Sequence, residues 1–159
     1  MLKPDFKFIT ATPARFIAFG FGSGLSPKAP GTFGSLVGVV LYFLLAVFFS
    51  YYAILGLLIL FFALGVWACD KSGRDLGIAD HGGMVWDEIV AMMLVLAFIP
   101  FGIVWYGLAF ALFRLFDIWK PFPISYLDRK FKGGFGVMID DIMAAIYAIA
   151  VLYLLSLFI

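Results

Sequence analysis

Charged residues are scarce in this sequence of 159 residues and account for only 13% of it. Soluble domains carry about 25% charged residues and about 45–50% apolar ones. This chain is instead 65% hydrophobic, with a mean hydropathy of +1.11. The composition excludes an ordinary soluble domain and is typical of a protein embedded in a membrane.

The scarcity of cysteine and the low net charge exclude further classes of protein. The one cysteine, Cys69, cannot form a disulfide within the chain. The net charge of +1 and the lack of a basic tract argue against nucleic acid as a partner. Residues 1–10 include Lys3, Asp5 and Lys7 and contain no apolar segment, so we expect no cleaved signal peptide.

Three long stretches contain no charged residue: 29–69, 89–113 and 142–159. A membrane span needs about 20 apolar residues, and about 17 are tolerated. The first stretch is long enough for two helices, which we expect to turn at residues 50–52. The third, extended back to residue 137, predicts one span.

The middle stretch allows two interpretations, a single span kinked at Pro100 or a hairpin that turns at residues 99–102. The hairpin brings three polar loops to one face of the membrane. Together with Arg114, these loops carry all eleven Lys and Arg residues. Because positive charge accumulates on the cytoplasmic side, this asymmetry favours the hairpin. The loops comprise residues 1–32, 70–83 and 120–136.

We therefore predict an all-α integral membrane bundle of about five transmembrane helices, with its motif-bearing loops on the cytoplasmic face. It forms one membrane-embedded domain over residues 1–159. Residues 1–32 are its N-terminal cytoplasmic segment and contain a glycine-rich loop. The predicted spans lie near residues 33–49, 53–69, 84–99, 103–119 and 137–159.

Small residues mark two faces that should pack closely. Gly34 and Gly38 form a GxxxG pattern on the first span, which predicts close helix packing. On the last span, Asp141, Ala144 and Ala148 share one face. This face should turn the carboxylate toward the interior of the bundle.

Acidic residues occur in pairs at the beginning of two spans. Asp87 and Glu88 open the third span, and Asp140 and Asp141 open the fifth. Ionisable groups within spans are costly and commonly functional. Carboxylates gathered at close range repel one another unless a cation is bound. Mg²⁺ or Mn²⁺ would suit such oxygen ligands.

The alternative is that these carboxylates pair with Arg114, Lys120 and Arg129, or extend to the interface. Arg114 and Asp117 are three residues apart on one helix, so they could form an ordinary ion pair. Asp128 reads as a solvated loop charge.

Two loop features carry weaker indications. His81, the one histidine, follows Asp80 and could carry a proton or support a neighbouring group. The glycine-rich stretches 20–24 and 133–136 each precede a span, where backbone N–H groups favour phosphate. Lys28, Arg114, Lys120 and Arg129 on the same face would be suitable phosphate partners.

The sequence lacks the motifs of several other phosphatases. Only four residues separate Cys69 from Arg74, one fewer than in the cysteine-phosphatase loop. No Asp-x-Asp nucleophile motif occurs, and one histidine is too few for the histidine-based lipid phosphatases. If the chain is a phosphatase, a carboxylate-and-metal site remains.

Four blocks concentrate the polar and glycine residues of the chain: FGSGLSPKAPGTFGS (21–35), DHGGMVWDE (80–88), FRLFDIWKPFP (113–123) and GGFGVMIDD (133–141). In sequence and order they resemble the signature blocks of the phosphatidylglycerophosphatase A family, across nearly the whole chain. Phe122, where the family often has Trp, and Val137, where Ile is common, are the departures. Neither changes a polar group.

The resemblance implies a Mg²⁺-dependent, multi-pass lipid phosphatase of the bacterial inner (cytoplasmic) membrane. Its phospholipid substrate would be phosphatidylglycerophosphate, hydrolysed to phosphatidylglycerol and inorganic phosphate at the cytoplasmic face. Asp87, Glu88, Asp140 and Asp141 would hold the metal. The other catalytic residues would be Asp80, His81 and Asp117, and substrate would be bound by Ser26, Lys28, Thr32, Arg114 and Lys120.

A different class of protein, a small ion-coupled membrane transporter, could use the same intramembrane carboxylates. The acids, however, cluster at one face and not at the midplane. Inverted repeats are also missing from the sequence.

Overall fold

The computed structural model describes residues 3–158, and all regular structure in that range is helical. Residues 1, 2 and 159, which belong to the predicted domain and last span, lie outside the described residues. The order of elements is α1 (Phe6–Thr10), α2 (Pro13–Ala18), a 3₁₀ segment (Gly20–Leu25), α3 (Pro30–Phe48), α4 (Tyr51–Leu76), α5 (Trp86–Ala97), α6 (Ile103–Trp119), α7 (Ile124–Lys130) and α8 (Gly133–Ser156).

A helix lies close to each of the five predicted spans, which confirms the all-α class. Three of these helices, α3, α4 and α8, are long and apolar enough to cross a membrane. α5 and α6 have 12 and 17 residues. Crossing of the membrane by all five, and the side on which the loops lie, stay predictions.

The middle charge-free stretch forms two helices, as the hairpin interpretation requires. α5 ends at Ala97 and α6 begins at Ile103, and the two helices contact each other. Pro100 cannot donate a helical hydrogen bond, and Gly102 has φ of +153°, which favours glycine. Together they turn the chain between the helices.

α5 is the centre of the bundle. It packs against α3, α4, α6 and α8, and ten of its side chains are buried. The two apolar cores of the protein both draw on it, one through Ile89 and Met93, the other through Met92 and Leu96. α5 therefore presents its carboxylates inside a ring of other helices.

Glycines allow α3 to approach this central helix closely. A Cβ atom on Gly34 would lie 2.7 Å from Cβ of Val85, and one on Gly38 would lie 2.7 Å from the backbone oxygen of Ile89. The GxxxG pattern is therefore a packing face, as predicted, and it is used inside the bundle.

The predicted cytoplasmic loops contain short helices that the sequence pattern did not predict. α2 packs against α4, where Arg15 Nη2 lies 2.9 Å from Asp75 Oδ2. α7 packs against α8. These contacts fix the polar segments onto the end of the bundle that carries the charges.

Candidate active site

The first turn of α5 presents two carboxylates at the charged end of the bundle. The backbone N–H of Val85 donates to the carbonyl of Ala18 at 2.8 Å, and Trp86 Nε1 donates to the carbonyl of Phe61 at 2.9 Å. These bonds tie the start of α5 to α2 and α4. Asp87 and Glu88 follow directly, where the partial positive charge of a helix N-terminus favours acidic groups.

α8 adds a third carboxylate to this pair. Asp141 lies on the same buried face as Ala144 and Ala148, as predicted, and only 3% of its surface is exposed. Oxygen atoms of Asp87, Glu88 and Asp141 all lie within 4.8 Å of one another. We call these three residues the carboxylate cluster.

One oxygen of each member of the carboxylate cluster is buried without a hydrogen-bond partner. These atoms are Asp87 Oδ1, Glu88 Oε2 and Asp141 Oδ2. Burying an unpaired charge is costly, and three close negative charges repel one another. A hard divalent cation satisfies both requirements, so the residues present fit Mg²⁺ or Mn²⁺.

Arg114 and Asp117 lie beside the carboxylate cluster on α6. Arg114 Nη1 contacts a carboxylate oxygen of Asp117 and lies 3.7 Å from Glu88 Oε1. The ordinary intrahelical ion pair is therefore present. Arg114 also balances part of the negative charge of Glu88, and its Nε is buried without a partner.

Asp140 belongs to a different group of charges. Lys120 Nζ lies 2.6 Å from Asp140 Oδ2 and 3.3 Å from Asp128 Oδ1. Partial burial alone would lower the pKa of Lys120, but Asp140 and Asp128 hold that pKa well above its ordinary value. We call Lys120, Asp128 and Asp140 the lysine cluster. Asp140 Oδ1 is nevertheless buried without a partner.

The first turn of α3 also reaches the site, through a glycine that the sequence analysis did not single out. A Cβ atom on Gly31 would lie 2.3 Å from Glu88 Oε1 and 2.9 Å from Arg114 Nη1. Only glycine leaves room for this approach. Thr32, a predicted substrate-binding residue, directly follows Gly31 in this first turn. The other two predicted in this segment, Ser26 and Lys28, precede α3. Lys28 is exposed, and its carbonyl accepts a hydrogen bond from Ser26 Oγ at 2.8 Å.

Asp80 and His81 lie outside the carboxylate cluster. Asp80 lines a cavity of about 380 Å³ together with Asp128 and Lys132. His81 Nδ1 accepts a hydrogen bond from the N–H of Gly83 at 3.0 Å, and its ring lies against Phe19. The structure thus places Asp80 near the lysine cluster and His81 against the N-terminal segment.

The two glycine-rich stretches serve mainly as packing positions. The N–H groups of Gly22 and Gly24 donate to the carbonyl of Phe19, and that of Gly134 donates to Asp70 Oδ1. A Cβ atom on Gly134 would lie 1.9 Å from the backbone oxygen of Val66. These N–H groups already donate hydrogen bonds within the protein. The backbone segment that lies beside the carboxylate cluster is instead the N-terminus of α3.

Comparison with known proteins agrees with this arrangement. The family model described as Phosphatidylglycerophosphatase A matches residues 16–156, which include every residue of both clusters. The chain belongs to the phosphatidylglycerophosphatase A family. Membership makes it an enzyme, a phosphatase associated with lipid metabolism and the membrane.

Individual relatives cover nearly the whole chain. A phosphatidylglycerophosphatase A of Haemophilus influenzae is 48% identical over 95% of this chain and 93% of its own length. One of Escherichia coli is 39% identical over 92% of this chain and 85% of its own. A Bacteroides thetaiotaomicron protein, provisionally named a phosphatidylinositol-3-phosphatase, is 42% identical over 83% of this chain and 86% of its own length. No solved structure matches the chain, and nothing supports the transporter alternative.

Proposed function

We propose that this phosphatase hydrolyses phosphatidylglycerophosphate to phosphatidylglycerol and inorganic phosphate, with Mg²⁺ held by the carboxylate cluster. The observation that carries the proposal is the set of three carboxylates with oxygen atoms within 4.8 Å of one another, each of which also has a buried oxygen without a hydrogen-bond partner. The substrate is that named for the Haemophilus influenzae and Escherichia coli relatives.

The metal ligands in this proposal are Asp87, Glu88 and Asp141. Two helices supply them, so the bundle must be assembled before the site exists. Bound Mg²⁺ would polarise the phosphoryl oxygens and neutralise the charge that develops during transfer. Asp140 is assigned to Lys120 because it already contacts that side chain at 2.6 Å.

Arg114 and Lys120 are the proposed phosphate-binding residues. Each is partly exposed and approaches the site from one end of α6. Their positive charges would hold the phosphate oxygens and orient the phosphorus toward an attacking water. The water oxygen bonds to phosphorus, the bond from phosphorus to the glycerol oxygen breaks, and that oxygen takes up one proton of the water while the other stays with the phosphate.

The cytoplasmic face of the bacterial inner membrane is the proposed location of the site. All eleven Lys and Arg residues lie at the same end of the bundle as the two clusters or in the segments packed on it. The opposite turns carry exposed aromatic side chains, among them Tyr52 and Phe101, and no charge. This asymmetry follows the positive-inside rule.

Metal binding to purified protein tests the proposal directly. Mn²⁺ should bind to the metal-stripped wild-type protein, as measured by its electron paramagnetic resonance signal. The Asp87→Asn and Asp141→Asn variants should bind it at least tenfold more weakly, because each loses a charged ligand. Hydrolysis of phosphatidylglycerophosphate should need added Mg²⁺.

Asp5→Asn is a matched control, since Asp5 caps α1, which packs against α2 and the 3₁₀ segment. Undiminished hydrolysis after complete removal of metal would refute the metal proposal. Metal binding without hydrolysis of phosphatidylglycerophosphate would refute the substrate while preserving the site.

A further inference from the structure

An apolar groove opens on the side of the bundle between α4, α5 and α8. It has a volume of about 360 Å³, and every residue that lines it is Leu, Ile, Phe or Val. The floor is buried, with Val90 only 1% exposed, whereas Ile59 is 74% and Phe98 53% exposed at its edge. The groove therefore opens sideways and not toward the charged end.

The register of two helices connects this groove to the carboxylate cluster. On α5, Val90 and Leu94 follow Asp87 by three and seven residues, so the three side chains share one face. On α8, Ile142 follows Asp141 directly. The groove thus begins about one helical turn from Asp87, and the neighbour of Asp141 in the chain lines it.

The groove extends away from the cluster along the helix axes. From Val90 to the end of α5 at Ala97 the helix rises about 10 Å, and Phe98 follows directly. On α4, Phe62 and Ile59 continue the same wall toward the uncharged end. A groove of this length and chemistry suits an extended hydrocarbon chain.

We propose that this groove holds one acyl chain of the phospholipid substrate while its terminal phosphate lies at the carboxylate cluster. The proposal rests on the proposed function, because it takes the phosphate position from it. The occupant is the substrate and not bulk lipid, since the groove starts beside the groups that act on the phosphate. Chain binding then contributes to kcat/KM.

Groove-narrowing substitutions test the proposal with two substrates that share one headgroup. One is dioleoyl phosphatidylglycerophosphate, and the other is its deacylated form, glycerophosphoglycerophosphate. Ile59→Trp should lower the ratio of kcat/KM for the dioleoyl form to that for the deacylated form by about tenfold. Leu60→Trp is the matched control. Leu60 is 59% exposed on the same helix and does not line the groove, so this ratio should not change.

Photo-crosslinking provides a measurement that does not depend on turnover. Phosphatidylglycerol with a diazirine in one acyl chain should label α4 near residue 59 and α5 near residue 94. Excess phosphatidylglycerophosphate should abolish this labelling, and phosphatidylethanolamine should not.

Equal competition by both lipids would show bulk lipid in the groove and overturn the proposal, as would an unchanged ratio in Ile59→Trp. Failure of the wild-type protein to hydrolyse either substrate would instead overturn the proposed function, and the crosslinking would still decide the groove.

Discussion

The carboxylate cluster and the lysine cluster lie side by side and differ in how their charge is balanced. Within residues 3–158, Asp87 and Asp141 form no ion pair, whereas Asp140 contacts Lys120 at 2.6 Å. Asp140 and Asp141 are neighbours on α8, yet successive helical residues point in different directions. Residue type alone therefore does not determine the role. The positive charges that surrounding helices supply distinguish the two aspartates.

The largest expected effect comes from exchanging the two aspartates for asparagine. Asp141→Asn should lower kcat by about a thousandfold or more, because a metal site contributes several kcal/mol to the transition state. Its Tm without Mg²⁺ should hold or rise, since repulsion within the carboxylate cluster is relieved. Asp140→Asn should instead lower the Tm. Phosphate release and thermal unfolding in detergent, on the same preparations, measure both effects.

This comparison between neighbours can fail in a definite way. If Asp140→Asn removes as much activity and metal affinity as Asp141→Asn, at unchanged Tm, then Asp140 is a metal ligand. The separation of the two clusters would then be wrong.

Removing Lys120 should have the next largest effect, on stability. Lys120→Met leaves Asp140, which is only 3% exposed, without its cation. Removal of one partner from a buried ion pair lowers the free energy of unfolding by about 3–5 kcal/mol. The double variant Lys120→Met with Asp140→Asn should regain most of this free energy of unfolding, as measured by urea titration.

Asp128→Asn is the control within the same cluster. The Asp128 side chain is 38% exposed and 3.3 Å from Lys120, so its loss should cost less than about 1 kcal/mol. If the double variant is as unstable as the sum of its single variants, Lys120 and Asp140 are not energetically coupled.

The smallest predicted effect on kcat comes from Gly31→Ala, which adds one methyl group beside Glu88 and Arg114. Gly31→Ala places a Cβ atom 2.3 Å from Glu88 Oε1, so that side chain must move. Misplacement of a catalytic group by about 1 Å can lower kcat about a hundredfold. Gly56→Ala on α4 is the matched control, because a Cβ atom there meets nothing within 4 Å. Normal kcat in Gly31→Ala would show that Glu88 adjusts freely.

Much of the fold follows from patterns that the sequence displays. The charge asymmetry and residues 99–102 predicted the α5–α6 hairpin, and both the GxxxG pattern and the buried face of Asp141 were confirmed. The early end of α5 at Ala97 was not foreseen. Because Phe98 and Ile99 are as apolar as the residues before them, no change in hydropathy marks the end of the helix.

The pairing within the site was harder to predict. The acidic pairs identified the right neighbourhood, but spacing along α8 cannot show which aspartate meets Lys120, twenty residues earlier in the chain. That contact depends on how α6 and α7 pack against α8. Gly31 was hidden for a similar reason, since its neighbours Glu88 and Arg114 are distant in sequence. The one indication in the sequence that Gly31 allows a close approach was its place beside Pro30 at the start of α3.

The unequal lengths of α4 and α5 bear on how the enzyme meets its bilayer. Trp86, directly before Asp87 and Glu88, donates its Nε1–H to the carbonyl of Phe61 on α4, yet α4 continues fifteen residues beyond Phe61 to Leu76, about 22 Å further. The chain then folds back against α4, where a Cβ atom on Gly73 would lie 3.0 Å from the carbonyl oxygen of Ala79. The start of α5, with its carboxylates, therefore lies deeper in the bundle than the end of α4. If the bilayer interface meets the protein at the level of Leu76, a headgroup at its normal height stands above the carboxylates, and the leaflet must thin beside the protein or the lipid must sink. Bilayer thickness thereby becomes a variable in the encounter between enzyme and substrate.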